Sequence, residues 1–283
     1  MRRGAGVLGL FCALFGVLFW TGLAAAQGPP CFRSKFARDW PVHLQHVELQ
    51  DSHQLSSRDR AAIVHELKRQ CDCWPCALSD EVGEQIREMY QWYGYFQAVA
   101  DVDIQKLGID SYSITARVQE GPQYRLKDLE FAHIHAFPDS QLRSLFAIAP
   151  GALYDTRKVR EGLEALRHQY STAGYVNFSA VPEPVADAAT QTIELRIDAD
   201  EGVVFKLGPL LLAGIDPKRG FARKLLEQWK PHLGEAFNSD FVDDFLAQNL
   251  SALDGPAPHI TYVQDAKEST VAVKVEFPAK PAP

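Results

Sequence analysis

The sequence predicts an α+β protein of three tandem β-α-α-β-β modules, each a three-stranded mixed sheet with two helices on one face. Three observations lead there. One apolar pattern returns at a nearly constant spacing, two helical stretches follow it each time, and two alternating stretches close each copy. The pattern is Val42, Leu44, Val47, Leu49 in VHLQHVEL, then Tyr124, Leu126, Leu129, Phe131 in YRLKDLEF, then Phe205, Leu207, Leu210, Leu212 in FKLGPLLL. Tyr124 stands 82 residues after Val42, and Phe205 stands 81 after Tyr124. In every copy the period-two alternation slips once, after the second apolar residue. The slip predicts a bulge or turn there, so that the chain enters on one face and continues on the other.

The first helical stretch opens at Ser56-Ser57-Arg58-Asp59, a capping-box-like start, and runs through Ile63, Val64 and Leu67. Its counterparts are Asp139 with Leu142, Leu145 and Phe146, and Phe221 to Trp229 with Leu225 and Leu226 inward. The second stretch has Val82, Ile86, Met89, Tyr90 and Tyr93 on one helical face, repeated by Val159, Leu163, Leu166 and Tyr170, and by Val242, Phe245, Leu246 and Leu250. Ser79, Asp155 and either Asn238 or Ser239 are the expected N-caps, and Gly94, Gly174 and Gly255 the expected stops.

Two strands end each copy. Phe96, Ala98, Ala100, Val102 and Ile104 alternate with polar residues, as do Tyr112, Ile114, Ala116 and Val118. Val176, Phe178 and Ala180 with Ile193, Leu195 and Ile197 repeat the arrangement, and then Ile260 and Tyr262 with Val271, Val273, Val275 and Phe277. Clean alternation means one covered face and one wet face, so both helices cover the same side of the sheet. The expected boundaries are 40–121, 122–202 and 203–278, marked by Glu120-Gly121 and Glu201-Gly202.

Residues 1–26 stand apart from this array. Arg2 and Arg3 precede an apolar run from Val7 to Leu23 that ends in Ala24-Ala25-Ala26, the layout of a secretory signal peptide. An uncleaved anchor is the alternative. The chain carries a net charge of −7, and loss of Arg2 and Arg3 with the leader makes the remainder more acidic. With no basic stripe in the sequence, non-specific binding to nucleic acid or to an anionic membrane is not expected.

Cys12 lies in the leader, which leaves Cys31, Cys71, Cys73 and Cys76. Four cysteines in an exported chain read as two disulfides that pin the helix–helix loop of the first module. Cys71-x-Cys73-x-x-Cys76 with Trp74-Pro75 inside leaves a redox centre and a four-cysteine zinc site as alternatives. No thioredoxin-like βαβ unit surrounds the cluster. His133 and His135 lack a third ligand, and Asp101, Asp103, Asp243 and Asp244 read as solvated faces. No nucleophile–base order, phosphate loop or paired carboxylate stands in the required context, so no enzyme activity, metal or cofactor is expected.

The second copy opens with Gly121-Pro122-x-Tyr124-x-Leu126 and has Gly151-x-x-Tyr154 between its helices. It closes its second helix with Gln169-Tyr170-x-x-x-Gly174-Tyr175 and ends on Glu201-Gly202. The first keeps Tyr90, Tyr93-Gly94-Tyr95 and Glu120-Gly121. The third keeps Gly234-x-x-Phe237, with Gly255-Pro256 in place of Gly-Tyr and Glu276-Phe277 in place of Glu-Gly. In these residues the chain resembles the POTRA modules of the BamA/TamA-like outer-membrane assembly family. Such arrays usually precede a membrane barrel, whereas six residues follow Phe277 here, so barrel insertion is not carried over.

The resemblance implies a periplasmic protein at the outer membrane, with unfolded outer-membrane polypeptides or a barrel-bearing POTRA protein as partners. It would touch the membrane only through them. If the last two strands of each module form a hairpin and the first strand lies beside the last, the middle strand is an edge that an extended guest can complete. The candidate edge residues are Phe96, Ala98, Ala100 and Val102 in the first module, Val176, Asn177, Phe178 and Ser179 in the second, and Ile260 and Tyr262 in the third. The expected edges span residues 96–104, 176–181 and 259–264. The alternatives are an anchored spacer and a thiol-disulfide oxidoreductase using Cys71, Cys73 and Cys76.

Overall fold

The computed structural model describes residues 42–70, 78–216, 218, 220–250 and 257–278. The expected leader at 1–26 and the disulfide, zinc and redox readings on Cys31, Cys71, Cys73 and Cys76 all lie outside the described residues.

The first sheet is built from β1 (His43–Gln50), β2 (Val99–Lys106) and β3 (Ser111–Gln119), with α1 (Ser57–Gln70) and α2 (Leu78–Gln91) between its first two strands. The second uses β4 (Arg125–Ala132), β5 (Ser179–Asp187) and β6 (Thr192–Asp200), with α3 (Asp139–Ser144) and α4 (Thr156–Ser171). The third uses β7 (Lys206–Ala213), β8 (His259–Asp265) and β9 (Thr270–Glu276), with α5 (Gly220–Trp229) and α6 (Ser239–Leu250). The strand orders are β1-β3-β2, β4-β6-β5 and β7-β9-β8, the outer pairs parallel on one side and antiparallel on the other. The middle strand in sequence is therefore an edge in all three sheets.

The phase slip in each opening strand is a break in pairing register, between Leu44 and His46, Leu126 and Asp128, and Leu207 and Leu210. Leu44, Leu126 and Leu207 remain in the core, because the extra residue is absorbed by the bulge rather than by turning an apolar side chain into water. The closing strands alternate as expected: Tyr112, Ile114, Ala116 and Val118 are buried, as are Ile193, Leu195, Ile197 and Ala199, and Val271, Val273 and Val275. Each face is covered by its own helices. Ile63, Leu67, Val82, Ile86 and Tyr90 fill the first core, Leu142, Val159, Leu166 and Tyr170 the second, and Leu225, Trp229, Val242 and Leu246 the third.

The caps follow the sequence with one exception. The Ser56 Oγ accepts from the Asp59 N–H, Asp155 accepts from the N–H groups of Arg157 and Lys158, and Asn238 rather than Ser239 accepts from Phe241. Ser79 is the exception. It lies inside α2, and its hydroxyl donates to the Val102 carbonyl 2.9 Å away, tying helix to edge strand instead of capping. Gly94 and Gly174 adopt φ of 85° and 94° as helix stops, while Gly255 lies outside the described residues.

Candidate polypeptide-binding edges and module joints

Of the ten candidate edge residues, five are in edge strands and five precede them. Ala100 and Val102 lie in β2, Ser179 begins β5, and Ile260 and Tyr262 lie in β8. Phe96, Ala98, Val176, Asn177 and Phe178 occupy the turn between the second helix and the edge strand. The strands start three residues later than the alternation suggested, at Val99 and Ser179. The reason is tertiary. After Gly94 and Gly174 the chain makes one more turn, with the Ala98 N–H on the Tyr95 carbonyl and the Phe178 N–H on the Tyr175 carbonyl, both 3.1 Å.

That turn serves the neighbouring module. Phe96 meets Tyr124 and Tyr154 edge-on at 6.3 and 5.6 Å and joins the second core, and Val176 joins the third. The Gly94 carbonyl accepts from the Tyr124 N–H at 2.7 Å, and the Gly174 carbonyl accepts from the Phe205 N–H at 2.8 Å. A Cβ on either glycine would come within 2.9 Å of the next module's carbonyl oxygen, so only glycine permits this approach in the left-handed region. Side-chain contacts repeat as well: Glu88 pairs with Arg160 at the first joint, and the His168 ring lies 3.2 Å from the Asp240 carboxylate at the second, at positions 80 residues apart. A cleft of 660 Å³ opens at the first joint between α1, α2 and α4, floored by Ile63, Met89 and Trp92.

The three edges differ in what they offer a guest. On β2 the outer face carries Asp101 and Asp103, both bridged by Arg117 of the adjacent strand at 3.2 and 2.5 Å. Charge on an edge opposes pairing with an unrelated strand. β5 continues to Asp187 and contains Pro182 and Pro184, which pair with Ile197 and Leu195. Proline is tolerated in a ladder where its nitrogen faces away from the partner strand, so the outward edge of β5 lacks two donors at its centre. The sequence expectation ended this strand at Val181 and missed both prolines, whose signal was legible as an edge marker. β8 has neither device. Its residues from Ile260 to Gln264 are uncharged, and Ile260, Tyr262 and Val263 are 38%, 43% and 45% exposed.

The Glu-Gly pairs also acquire a physical role. Glu120, buried, accepts from the Ser52 hydroxyl and from the N–H groups of His53, Gln54 and Leu55, and Tyr90 donates to Ser52. Glu201 accepts from the N–H groups of His135 and Ala136 and from the Tyr170 hydroxyl at 2.7 Å. Each glutamate ties the loop after the opening strand to the end of the closing strand. Burial works to raise the Glu201 carboxyl, but those donors outweigh it and hold the group below its ordinary value. Tyr170 is pushed up, by burial first and then by Glu201.

His133 and His135 are not turned to a common ligand. His133 Nδ1 lies 2.6 Å from Asp198, and His135 pairs with Glu201 at 3.4 Å. Among the described residues no group of three or more His, Cys, Asp or Glu side chains is placed to hold a metal. No described helix is long and apolar enough to cross a membrane.

Residues 124–202 match the family model described as surface antigen variable number repeat, POTRA. The outer membrane protein assembly factor BamA of Neisseria meningitidis is 23% identical over 139 residues, which is 48% of this chain and 17% of that protein, so this chain spans a small part of its relative's length. The structure of Haemophilus influenzae BamA POTRA3-5 superposes with a TM-score of 0.62 at 16% identity, over 83% of this chain and 96% of that one. The second module thus carries the POTRA signature in its sequence, and the three-module array is similar in fold to the tandem POTRA domains of BamA.

Proposed function

We propose that this chain is a non-enzymatic periplasmic scaffold that assists outer-membrane protein assembly by holding extended polypeptide along its sheet edges. The observation that carries the reading is the strand order: in all three sheets the middle strand is on the outside, so one row of its backbone N–H and C=O groups has no partner strand among the described residues. An extended guest completes such a row with little dependence on its sequence, which suits unfolded outer-membrane polypeptides or a strand of a barrel-bearing POTRA protein. The order of competence is β8, then β2 behind its charges, then β5 behind its prolines. The repeated joints favour a second reading, in which the array also serves as a spacer of fixed module spacing.

The test is binding of a fluorescently labelled, urea-diluted outer-membrane polypeptide, read by anisotropy. Thr261→Pro and Tyr262→Pro are made separately, because alternate residues of an edge strand point their N–H groups in opposite directions. The variant whose lost donor faces outward keeps amide protection in β9 and loses about tenfold in affinity, and alanine at the same position is milder. If a proline variant with β9 protected at each position binds like wild type, edge pairing is wrong and the spacer reading stands.

A further inference from the structure

β8 differs from the other two edges in more than exposure. Its sequence, HITYVQD, has high strand propensity, no proline, and charge-bearing residues only at its two ends, His259 and Asp265. In the first module α2 lies close over the edge strand, where a Cβ on Gly83 would stand in van der Waals contact with Ala100 and Val102. In the third, Asp243 of α6 reaches β8 through a hydrogen bond from the Tyr262 hydroxyl, 3.0 Å long, and Phe237 meets the Tyr262 ring edge-on. Ile260 and Tyr262 remain substantially exposed on the helix-covered side, and Val263 is exposed on the other.

We infer that β8 is the seat of a second copy of this chain, two β8 strands pairing antiparallel about a two-fold axis through Tyr262. The strand is self-complementary in that register. Tyr262 meets its own counterpart, Thr261 stands opposite Val263 twice, Ile260 stands opposite Gln264, and His259 of each copy stands opposite Asp265 of the other. The His259 ring therefore stands opposite the Asp265 carboxylate at both ends, and no like charges face each other across the pair. The two sheets become one of six strands, and the half-exposed Tyr262 and Ile260 gain neighbours on the face where the helices fall short. Burial and the bond to Asp243 push the Tyr262 hydroxyl up to about 12, so the rings at the axis are neutral at physiological pH. The inference needs only the open edge and holds whether or not guests bind there. If they do, dimer and guest compete.

A single strand pair is smaller than a standard stable interface, so the dimer is weak, with a dissociation constant on the order of 10 µM or higher. Sedimentation velocity of the full chain without any guest, from about 1 to about 300 µM, is expected to show a monomer–dimer equilibrium. Tyr262→Lys keeps a partner in Asp243 but places two ammonium groups at the axis, and weakens the dimer about tenfold or more, whereas Val185→Lys on β5 leaves it unchanged. Benzoylphenylalanine at Val263, in a mixture of light and nitrogen-15-labelled chains, is expected to cross-link to β8 of the other copy. A wild-type chain that stays monomeric overturns the inference. So does a dimer that Tyr262→Lys leaves intact while amide exchange shows the third module folded, or a cross-link that lands only within one chain or elsewhere on the other copy. Loss of guest binding alone, with the dimer intact, would count against the proposed function and leave this inference standing.

Discussion

The second and third modules share a strand order and a bulge, yet they hold the loop after their opening strand by different means. In the second, His133 leaves β4 with φ of 60°, a left-handed conformation that costs an L-residue roughly 1–2 kcal/mol. Glu201 takes hold of the next backbone amides, and Tyr170 completes the carboxylate's shell. The first module repeats this with Asp51, also at 60°, and Glu120. In the third, Gly214 leaves β7 at 78°, where glycine bears no such cost. Leu250 stands where the tyrosine stood, 80 residues after Tyr170, and packs against the third core. Glu120 and Glu201 each fall eight residues past the register positions Tyr112 and Ile193, and eight past Val271 is Ala279, outside the described residues. Glu276, taken from the sequence as the counterpart, pairs with Ala213 and so aligns with Arg117 and Asp198 instead. The comparison teaches that a strained loop residue and a buried carboxylate go together: where the carboxylate is replaced, glycine removes the strain that it was holding.

The largest expected effect comes from taking the clamp away. Glu120→Ala strands a buried hydroxyl and three amide donors, and Glu201→Ala strands two amides and the Tyr170 hydroxyl. Each is expected to destabilise its own module by about 2–4 kcal/mol, read from module-specific amide exchange in denaturant, with the third module unaffected. An equal loss in all three modules would mean that the glutamates act through the joints rather than through their loops.

Gly214→Ala probes the other solution. Its Cβ would run into the Phe277 carbonyl oxygen, and its φ is left-handed, so a loss of about 2–3 kcal/mol in the third module is expected from the thermal midpoint. A neutral result would show that the end of β9 moves freely and that the glycine is not required.

Acid distinguishes the modules next. The Glu201 carboxyl is lowered in the folded protein relative to its ordinary value of 4.5. Its contribution is therefore fully present above the ordinary glutamate range and is lost as pH falls through the lowered folded value. Amide exchange in the second module should rise in that window, and Glu201→Gln should remove this part of the pH dependence. A window of loss unchanged in the glutamine variant would assign it to other carboxylates.

The smallest effect sharpens the comparison from the opposite side. His133→Gly releases the left-handed strain but adds backbone freedom to the unfolded chain and gives up the bond to Asp198. A change between zero and about 1 kcal/mol of stabilisation is expected by denaturant titration. A clear loss would mean that the His133–Asp198 contact matters more than the backbone strain.

The repeat was legible because its signals are local. The apolar spacing, the phase slip, the Asp155 cap and the Gly94 and Gly174 stops depend on residues within one element, and they placed the strands and helices to within a few residues, except at the end of β5, which runs on to Asp187. Phe96 and Val176 carry a strand signal, because their alternation with Ala98 and Phe178 has the period of a strand, and only the adjoining module shows why they turn aside. Ser79 looked like a cap by position, but the edge strand supplied a better acceptor for its hydroxyl. Pro182 and Pro184 were visible in the sequence, but their meaning depended on β5 continuing through them.

The sequence by itself determined the number of modules, their β-α-α-β-β order and which strands would lie at the edges, since periodicity and turn chemistry act over a few residues. The tertiary structure decided how those edges differ, where each one starts, and what Glu120 and Glu201 are for. Those properties arise between groups 14 to 19 residues apart at the edge strands, 65 or more apart at the two glutamates, or in adjacent modules, where a hydrogen bond or a packed ring is set by proximity in space.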